Sequence, residues 1–232
     1  MKNKVAIITI GVIGILIALI VLIVLLVNYS KGNVKEELLD INYDIKGNTT
    51  KLKYDTKNPV VALYIEKYGS VVIELYPDVA PNTVNNYIYL VKKGFYDNNT
   101  FHRLVPGFVL QGGDPEGSGT GGPGYSIKGE FSNNGFENKL KHTQKVVSMA
   151  RGTENDTAGS QFFIMLADNA SLNGEYAAFG KVIDGWDNIK KIASNESISD
   201  KTTGKLRTNL VLKKALVDTK GKDYDEPKKI KS

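Results

Sequence analysis

The chain has 232 residues, with 30 Lys and Arg against 25 Asp and Glu, and it contains no cysteine. This length suits one domain of ordinary size with additional segments. The lack of cysteine excludes disulfides, thiolate nucleophiles and cysteine-based zinc sites, and only His102 and His142 could supply imidazole ligands. We therefore expect no metal and no other cofactor.

The net charge of +5 is unevenly distributed. Residues 58–218 carry 17 basic and 17 acidic side chains, whereas the excess of lysine lies in residues 1–57 and 219–232. A nucleic-acid-binding domain would concentrate positive charge on its folded part. Nucleic acid is therefore not an expected partner, and the lysine-rich ends favour an anionic membrane surface.

Residues 5–27 form an apolar run without a charged side chain. A helix of this length crosses a hydrocarbon core of about 30 Å, whereas the apolar region of a secretory signal peptide has about 7–15 residues. Lys2 and Lys4 precede the run and place the N-terminus in the cytoplasm. Residues 1–30 are thus predicted to be a cytoplasmic stub and a transmembrane anchor in the lipid bilayer, with the rest of the chain outside the cytoplasm.

The remaining chain is divided by composition. The polar residues 31–57 predict a linker, and the charged residues 219–232 predict a disordered tail. Between them lies one domain, residues 58–218.

Strand patterns dominate this domain. Runs rich in β-branched and aromatic residues predict strands at 60–65, 71–76, 103–110, 145–149, 161–166, 177–183 and 209–217. One helix is predicted from Pro81 to the Gly94 stop, and a second over 186–193. Many short strands with two helices indicate a mainly β fold, an antiparallel barrel or sandwich.

Five blocks of the domain carry a resemblance to a known family. They are Phe101–Asp114, Gly119–Gly124, Ser148–Arg151, Gly159–Ile164 and Phe179–Val182. In this order and spacing they resemble the cyclophilins, a family of peptidyl-prolyl cis-trans isomerases. The resemblance covers nearly all of residues 58–218. It implies a closed eight-stranded antiparallel barrel with two capping helices and an outer groove that binds Xaa-Pro segments.

The resemblance also implies roles for single positions. Arg103 resembles the catalytic arginine of the family, and Gln111 the polar residue that holds the substrate and Arg103. The implied pocket for the proline ring consists of Phe108, Met149, Phe163 and Leu172. The implied rim of the groove consists of His102, Ala150, Arg151, Gln161 and Tyr176.

Two positions depart from the family pattern. Ser171 stands where cyclosporin-sensitive members typically have tryptophan, which implies that cyclosporin binding is weak. Tyr176 stands where many members have histidine, and this changes the rim of the groove more than its chemistry.

The implied site suits rotation about a peptide bond. The barrier of about 18–20 kcal/mol comes from amide resonance, so neither a nucleophile nor a metal is needed to lower it. A pocket that grips the ring and an arginine that donates to the prolyl nitrogen would stabilise the twisted state. The predicted function is Xaa-Pro isomerisation in unfolded or exported polypeptides.

Other classes of function fit parts of the sequence. A non-catalytic chaperone or assembly module could bind proline-containing segments at the membrane surface, whereas a structural spacer would leave the groove residues without a role. A hydrolase triad of His102, Asp114 and Ser160 lacks the GxSxG motif. The GxGxxG match at Gly117–Gly122 is followed by Pro123 and not by a helix pattern, which argues against a dinucleotide site.

Overall fold

The computed structural model describes residues 48–230. The predicted membrane anchor and residues 31–47 of the predicted linker lie outside these residues. Within the described range, no helix has both the length and the apolar character needed to cross a bilayer.

Strands make up most of the regular secondary structure of the described residues. These are β1 (Val60–Ile65), β2 (Gly69–Leu75), β3 (Asn99–Val105), β4 (Val109–Asp114), β5 (Ser126–Ile127), β6 (Val146–Met149), β7 (Phe162–Met165), β8 (Ala178–Asp184), β9 (Ile198–Asp200), β10 (Lys205–Asp218) and β11 (Lys229–Ile230). The helices are α1 (Pro81–Lys92) and α2 (Trp186–Asn195), with short 3-10 helices at Ser132–Asn134 and Ala170–Leu172.

Eight strands close into an antiparallel barrel. Their order is β1-β2-β8-β6-β7-β4-β3-β10, and β10 pairs with β1 to complete the ring. The short β9 extends the sheet from β10. The mainly β barrel predicted from the sequence is confirmed, together with both helices.

Both helices bury an apolar face in the core of the barrel. Val84, Tyr87 and Ile88 of α1 are at most 1% exposed and pack in the same cluster as the inward side chains of the strands. Ile189 and Ile192 of α2 belong to this cluster as well. The buried apolar residues of both helices therefore recur at helical spacing, as the sequence predicted, and Pro81 is the first residue of α1.

One strand of the sequence prediction is wrong. Residues 103–110 were expected to form a single strand, but β3 ends at Val105 and β4 begins at Val109. Pro106 lacks a backbone N–H for a ladder, and Gly107 has a φ of 70°, so the two residues form a turn. This turn places β3 and β4 side by side, and the candidate site depends on that pairing.

The wall of the barrel has an inner and an outer apolar side. Along β7, Phe162 and Ile164 belong to the inner core, whereas Phe163 and Met165 belong to a separate outer cluster. This follows from the alternation of side chains along a strand. The outer cluster is the foundation of the candidate site.

The folded unit begins before residue 58. The backbone N–H of Thr50 donates to the carbonyl of Val217 at 2.9 Å, and that of Leu52 donates to the carboxylate of Asp218 at 2.7 Å. Lys220 forms an ion pair with the same carboxylate at 2.9 Å. The predicted linker boundary at residue 57 is therefore too late, because residues 48–52 are bonded to the end of β10.

The prediction of a disordered tail is wrong for residues 219–230. β11 pairs with β5 in antiparallel register, and Pro227 is buried although its neighbours are charged. Composition predicted disorder because the segment is rich in lysine and acids. The backbone pairing with β5 joins this segment to a distant part of the chain, which composition does not reveal.

Candidate active site

An irregularity in β3 turns one arginine outward. Phe101 and Leu104 are both buried in the inner core, although regular alternation would put residues three apart on opposite faces. The register between β3 and β4 shifts between Phe101 and Arg103, which is the signature of a bulge. The shift lets Arg103 lie on the outer side of the wall, opposite Gln111 of β4.

Two hydrogen bonds hold the guanidinium of Arg103. Its Nε donates to the carbonyl of Thr203 at 2.8 Å, and its Nη1 donates to the Oε1 of Gln111 at 3.3 Å. Burial lowers the pKa of Arg103, while the neighbouring Tyr176 raises it. An arginine remains protonated at neutral pH despite such a shift. The group is therefore a fixed cation, and within the described residues its Nη2 has no hydrogen-bond partner.

A chain of amides supports this arrangement. Gln111 Nε2 donates to Gln161 Oε1 at 3.0 Å, and Gln161 Nε2 donates to the carbonyls of Gly119 and Gly121 at 3.0 and 2.9 Å. Because each amide both accepts and donates, the orientation of Gln111 is fixed with its oxygen toward Arg103. The loop at Gly119–Gly121 thus helps to aim the arginine.

An apolar cavity of about 250 Å³ opens beside Arg103. The side chain of Phe163 is 5% exposed, and its ring meets that of Tyr176 edge-on with centroids 5.6 Å apart. The cavity is lined by Arg103, Phe108, Val109, Gln111, Ala150, Arg151, Phe163, Leu172 and Tyr176. A small apolar ring seated here would have the guanidinium of Arg103 at its edge, a combination that suits a proline and its peptide bond.

Arg151 is an internal brace of the site. Its Nε and Nη2 bond to the carbonyl and carboxylate of Glu175 at 3.0 and 3.4 Å, and its Nη1 donates to the carbonyls of Gly152 and Thr153 at 3.0 Å. The guanidinium also lies 4.9 Å from the ring centroid of Tyr176. These contacts occupy four of the five N–H donors of Arg151, so the side chain is held in the wall of the cavity.

The comparisons with known proteins agree on one family. The family model described as cyclophilin-type peptidyl-prolyl cis-trans isomerase matches residues 60–215. The chain is a cyclophilin. The match covers the whole barrel up to the last part of β10 and includes every residue that lines the apolar cavity.

Relatives of this cyclophilin include bacterial enzymes. Peptidyl-prolyl cis-trans isomerase B of Bacillus subtilis is 44% identical over 136 residues, which are 59% of this chain and 92% of the relative. A peptidyl-prolyl cis-trans isomerase of Helicobacter pylori is 42% identical over 132 residues, covering 56% of this chain and 78% of the relative. This cyclophilin is accordingly an enzyme of the peptidyl-prolyl cis-trans isomerase class.

A solved structure has the same fold. The cyclophilin-type isomerase of Cryptosporidium parvum, crystallised in the presence of the dipeptide Ala-Pro, is 33% identical with a TM-score of 0.61. The match covers 68% of this chain and 98% of that chain. The barrel described above is therefore the cyclophilin barrel.

The cyclophilin site differs from the sequence prediction at Met149. This residue was expected in the proline pocket, but it is 1% exposed and belongs to the inner core. Alternation along β6 explains the error, because Val146 lies in the outer cluster and Met149, three positions later, turns inward with Val147. Val109 was missed, although its spacing of two from Gln111 on β4 could have placed it on the same face.

His102 also lies elsewhere than predicted. It was expected on the rim of the groove, yet it lines neither the apolar cavity nor the cavity beside it. Both ring nitrogens are buried without a hydrogen-bond partner among the described residues. Burial lowers the pKa of His102 against the opposing charge of Asp114, so the ring is neutral at neutral pH. At neutral pH the charged side chain of β3 is therefore that of Arg103.

A second, larger cavity adjoins the first. Its volume is about 560 Å³, and it shares Gln111, Ala150 and Arg151 with the apolar cavity. Gln161, predicted on the rim, lies in its lining. The rest of its wall consists of Glu116, residues 119–126, Gly152, Thr157, Gly159 and Ser160. Because the two cavities are contiguous, an extended polypeptide can occupy both at once.

Proposed function

We propose that this chain isomerises Xaa-Pro bonds in unfolded or exported polypeptides, with the proline ring in the apolar cavity and Arg103 at the reacting bond. The observation that carries the proposal is the position of Arg103, a cation held by Thr203 and Gln111 at the edge of an apolar cavity built on Phe163. The proline-containing dipeptide present with the Cryptosporidium parvum relative supports the same ligand class.

The physical task is to stabilise a twisted peptide bond. The cis and trans forms of an Xaa-Pro bond differ by about 0.5–1 kcal/mol, whereas the barrier between them is about 18–20 kcal/mol. When the bond twists, resonance is lost and the prolyl nitrogen regains a lone pair that can accept a hydrogen bond. A donor that meets this lone pair binds the twisted state more tightly than either planar state, which lowers the barrier.

Each part of the site has a share in this task. The rings of Phe108 and Phe163, with Val109 and Leu172, hold the proline ring while the preceding residue rotates. The Nη2 of Arg103 is the donor to the prolyl nitrogen. Gln111 keeps the guanidinium in place and offers its amide to the substrate backbone. Residues that flank the proline extend over the second cavity.

The cellular setting is part of the same proposal. The uncharged run at residues 5–27 would anchor the enzyme in the cell membrane, with the cyclophilin domain on the extracytoplasmic side. Polypeptides emerging from export present proline bonds whose uncatalysed isomerisation takes about 10–100 s. Cyclosporin binding is proposed to be weak, since Ser171 is exposed and offers no aromatic face beside Leu172.

The test uses the full-length chain in a detergent-containing buffer and a short proline peptide. We expect Arg103→Ala to lower kcat/KM by about 10²–10³, the loss typical of one transition-state donor. Arg207→Ala is the matched control, because Arg207 is exposed on β10. Peptide binding by the wild type without acceleration would refute the proposal and favour the non-catalytic binding module.

A further inference from the structure

The last residues of the described chain form a strap on the surface of the barrel. We call Tyr224–Ile230 the C-terminal strap; it lies beyond residue 215, where the family match ends. Pro227 is buried, and the side chain of Asn82 on α1 makes two hydrogen bonds to the backbone of Lys228. The side-chain amide of Asn82 donates to the carbonyl of Lys228 at 3.1 Å and accepts from its N–H at 2.7 Å. The strap is thus bound to α1 by specific contacts.

Lys229 joins the strap to two aromatic rings. Its Nζ lies 4.4 Å from the ring centroid of Tyr89 on α1 and 4.9 Å from that of Tyr125, which precedes β5. In the backbone, Lys229 pairs with Ile127, and Ile230 pairs with Ser126. Lys229 therefore contacts the β5 segment through both its side chain and its backbone.

The β5 segment lies between the strap and the wall of the second cavity. On the side opposite Lys229, the N–H of Ile127 donates to the carbonyl of Ala158 at 2.8 Å. Ile127 is thus paired with Lys229 on one side and with Ala158 on the other. Tyr125 and Ser126 line the second cavity directly.

A side-chain relay ties the same wall together. The hydroxyl of Tyr125 donates to Oδ1 of Asn86 at 2.7 Å, and Nδ2 of Asn86 donates to the carbonyl of Gly159 at 2.7 Å. Gly159 is followed by Ser160 and Gln161, which also line the cavity. The ring that Lys229 contacts is therefore the first member of a chain that ends beside Gln161.

We propose that the C-terminal strap is a positioning element of the enzyme, with Lys229 as its positioning residue. By holding Tyr125–Ile127 against Ala158, the strap fixes the wall of the second cavity and with it the affinity for substrate residues that extend beyond the proline. Without the strap, β5 would be a two-residue strand paired on one side only, and such isolated pairs are marginal in water. The inference rests on the proposed use of the two cavities.

The strap contributes no residue to the apolar cavity in which the reacting bond is proposed to bind. The residues that line the apolar cavity come from β3, β4, β7, the turn at Phe108, the segment 150–151, the 3-10 helix that ends at Leu172, and Tyr176, and none of them is in the strap. Loosening the strap should therefore weaken the binding of long substrates and leave the rotation step unchanged. Short substrates confined to the apolar cavity should not respond.

The experiment measures kcat and KM of the full-length chain, in detergent-containing buffer, with two peptides. One is short and ends next to its proline, and the other has several residues on both sides. We expect Lys229→Ala to raise KM about three- to tenfold for the long peptide only, the range given by loss of the partly exposed cation–π contacts with Tyr89 and Tyr125. Lys229→Arg, which keeps the cation, should restore KM, and Lys222→Ala, at an exposed lysine of the same tail, should change nothing.

Hydrogen exchange supplies the structural readout. We expect the amides of residues 125–127 to exchange faster in Lys229→Ala than in the wild type, and a chain ending at Asp225 to show a larger change in the same direction. If the shortened chain fails to fold, Lys229→Ala still decides the question. An unchanged KM with unchanged exchange, an equal effect on both peptides, or equal effects of Ala and Arg at position 229 would each overturn the inference. Arg103→Ala should lower the rate for both peptides, so that failure of the proposed function is visible separately.

Discussion

The fixed geometry of Arg103 makes a conservative substitution informative. Arg103→Lys keeps the positive charge but removes the planar fork that bonds Thr203 and Gln111 at 2.8 and 3.3 Å. An ammonium on a flexible stem can satisfy one of these partners or the substrate, but it cannot hold all three in one plane. If catalysis needs an aimed donor and more than a nearby charge, lysine should be a poor replacement.

The expected loss follows from the contacts that disappear. A hydrogen bond to a charged group contributes about 1.5–3 kcal/mol, and the variant loses the bonds that orient the donor while retaining part of its attraction for the prolyl nitrogen. We therefore expect kcat to fall by about 10- to 100-fold, equivalent to about 1.4–2.7 kcal/mol, with a smaller change in KM. The apolar side chains that line the cavity beside Arg103 are unchanged, which is why KM should change less.

Exchange between the cis and trans resonances of a proline peptide, measured by NMR at neutral pH, gives the rate without a coupled protease. Arg207→Lys is the matched control, since Arg207 is exposed and lines neither cavity. A lysine variant that keeps at least half of the wild-type kcat would refute the reasoning, because charge alone would then suffice. A rise in KM with kcat unchanged would assign Arg103 to binding.

Two further predictions concern the support of the site. Gly204 has a φ of 77°, and a Cβ there would lie 2.7 Å from Cγ2 of Val105. Gly204→Ala should therefore shift the carbonyl of Thr203, which holds Arg103, and lower kcat. In the Arg103→Lys background the same substitution should lower kcat no further. Burial lowers the pKa of His142 below its unfolded value of about 6.5, so the folded state favours the neutral ring, and the free energy of unfolding should fall as the pH drops below about 6.5. Denaturant titrations at several pH values should show a shallower fall in His142→Gln. The remaining fall has contributions from His102, whose pKa is lowered in the same direction, and at lower pH from Asp114 and Asp218, whose pKa values are lowered as well. An unchanged slope would contradict this account.

Local patterns predicted the barrel because they are repeated in its architecture. The β-branched runs that became β1, β2 and β8 start or end within two residues of their predicted limits. The start of α1 at Pro81 follows from the missing N–H of proline, which costs nothing in the first turn. The resemblance then brought Arg103, Gln111 and Phe163 together, and the structure places all three at one cavity.

The errors arose where tertiary contacts override local pattern. Met149 and Val109 are both apolar and both close to the site in sequence, and only the register of β6 and β4 decides which of them faces the inside of the barrel. The composition of the tail from residue 219 predicts disorder, yet Lys228 and Lys229 find partners that precede them by a hundred residues or more. Pairing over such distances has no signature in a single sequence.

The two-sided wall of the barrel has a consequence for how this sequence can vary over generations. Phe162 and Phe163 are neighbours in the chain, but Phe162 fills the interior and Phe163 shapes the ligand cavity. Variation at Phe162 is limited by the volume of a close-packed interior, where a change of even one methylene group lowers the stability of the fold. Under the proposed function, variation at Phe163, Val109 or Leu172 is limited by the shape of the ligand. New ligand preferences can therefore arise by alternate positions of β4 and β7, one residue away from side chains that must not change.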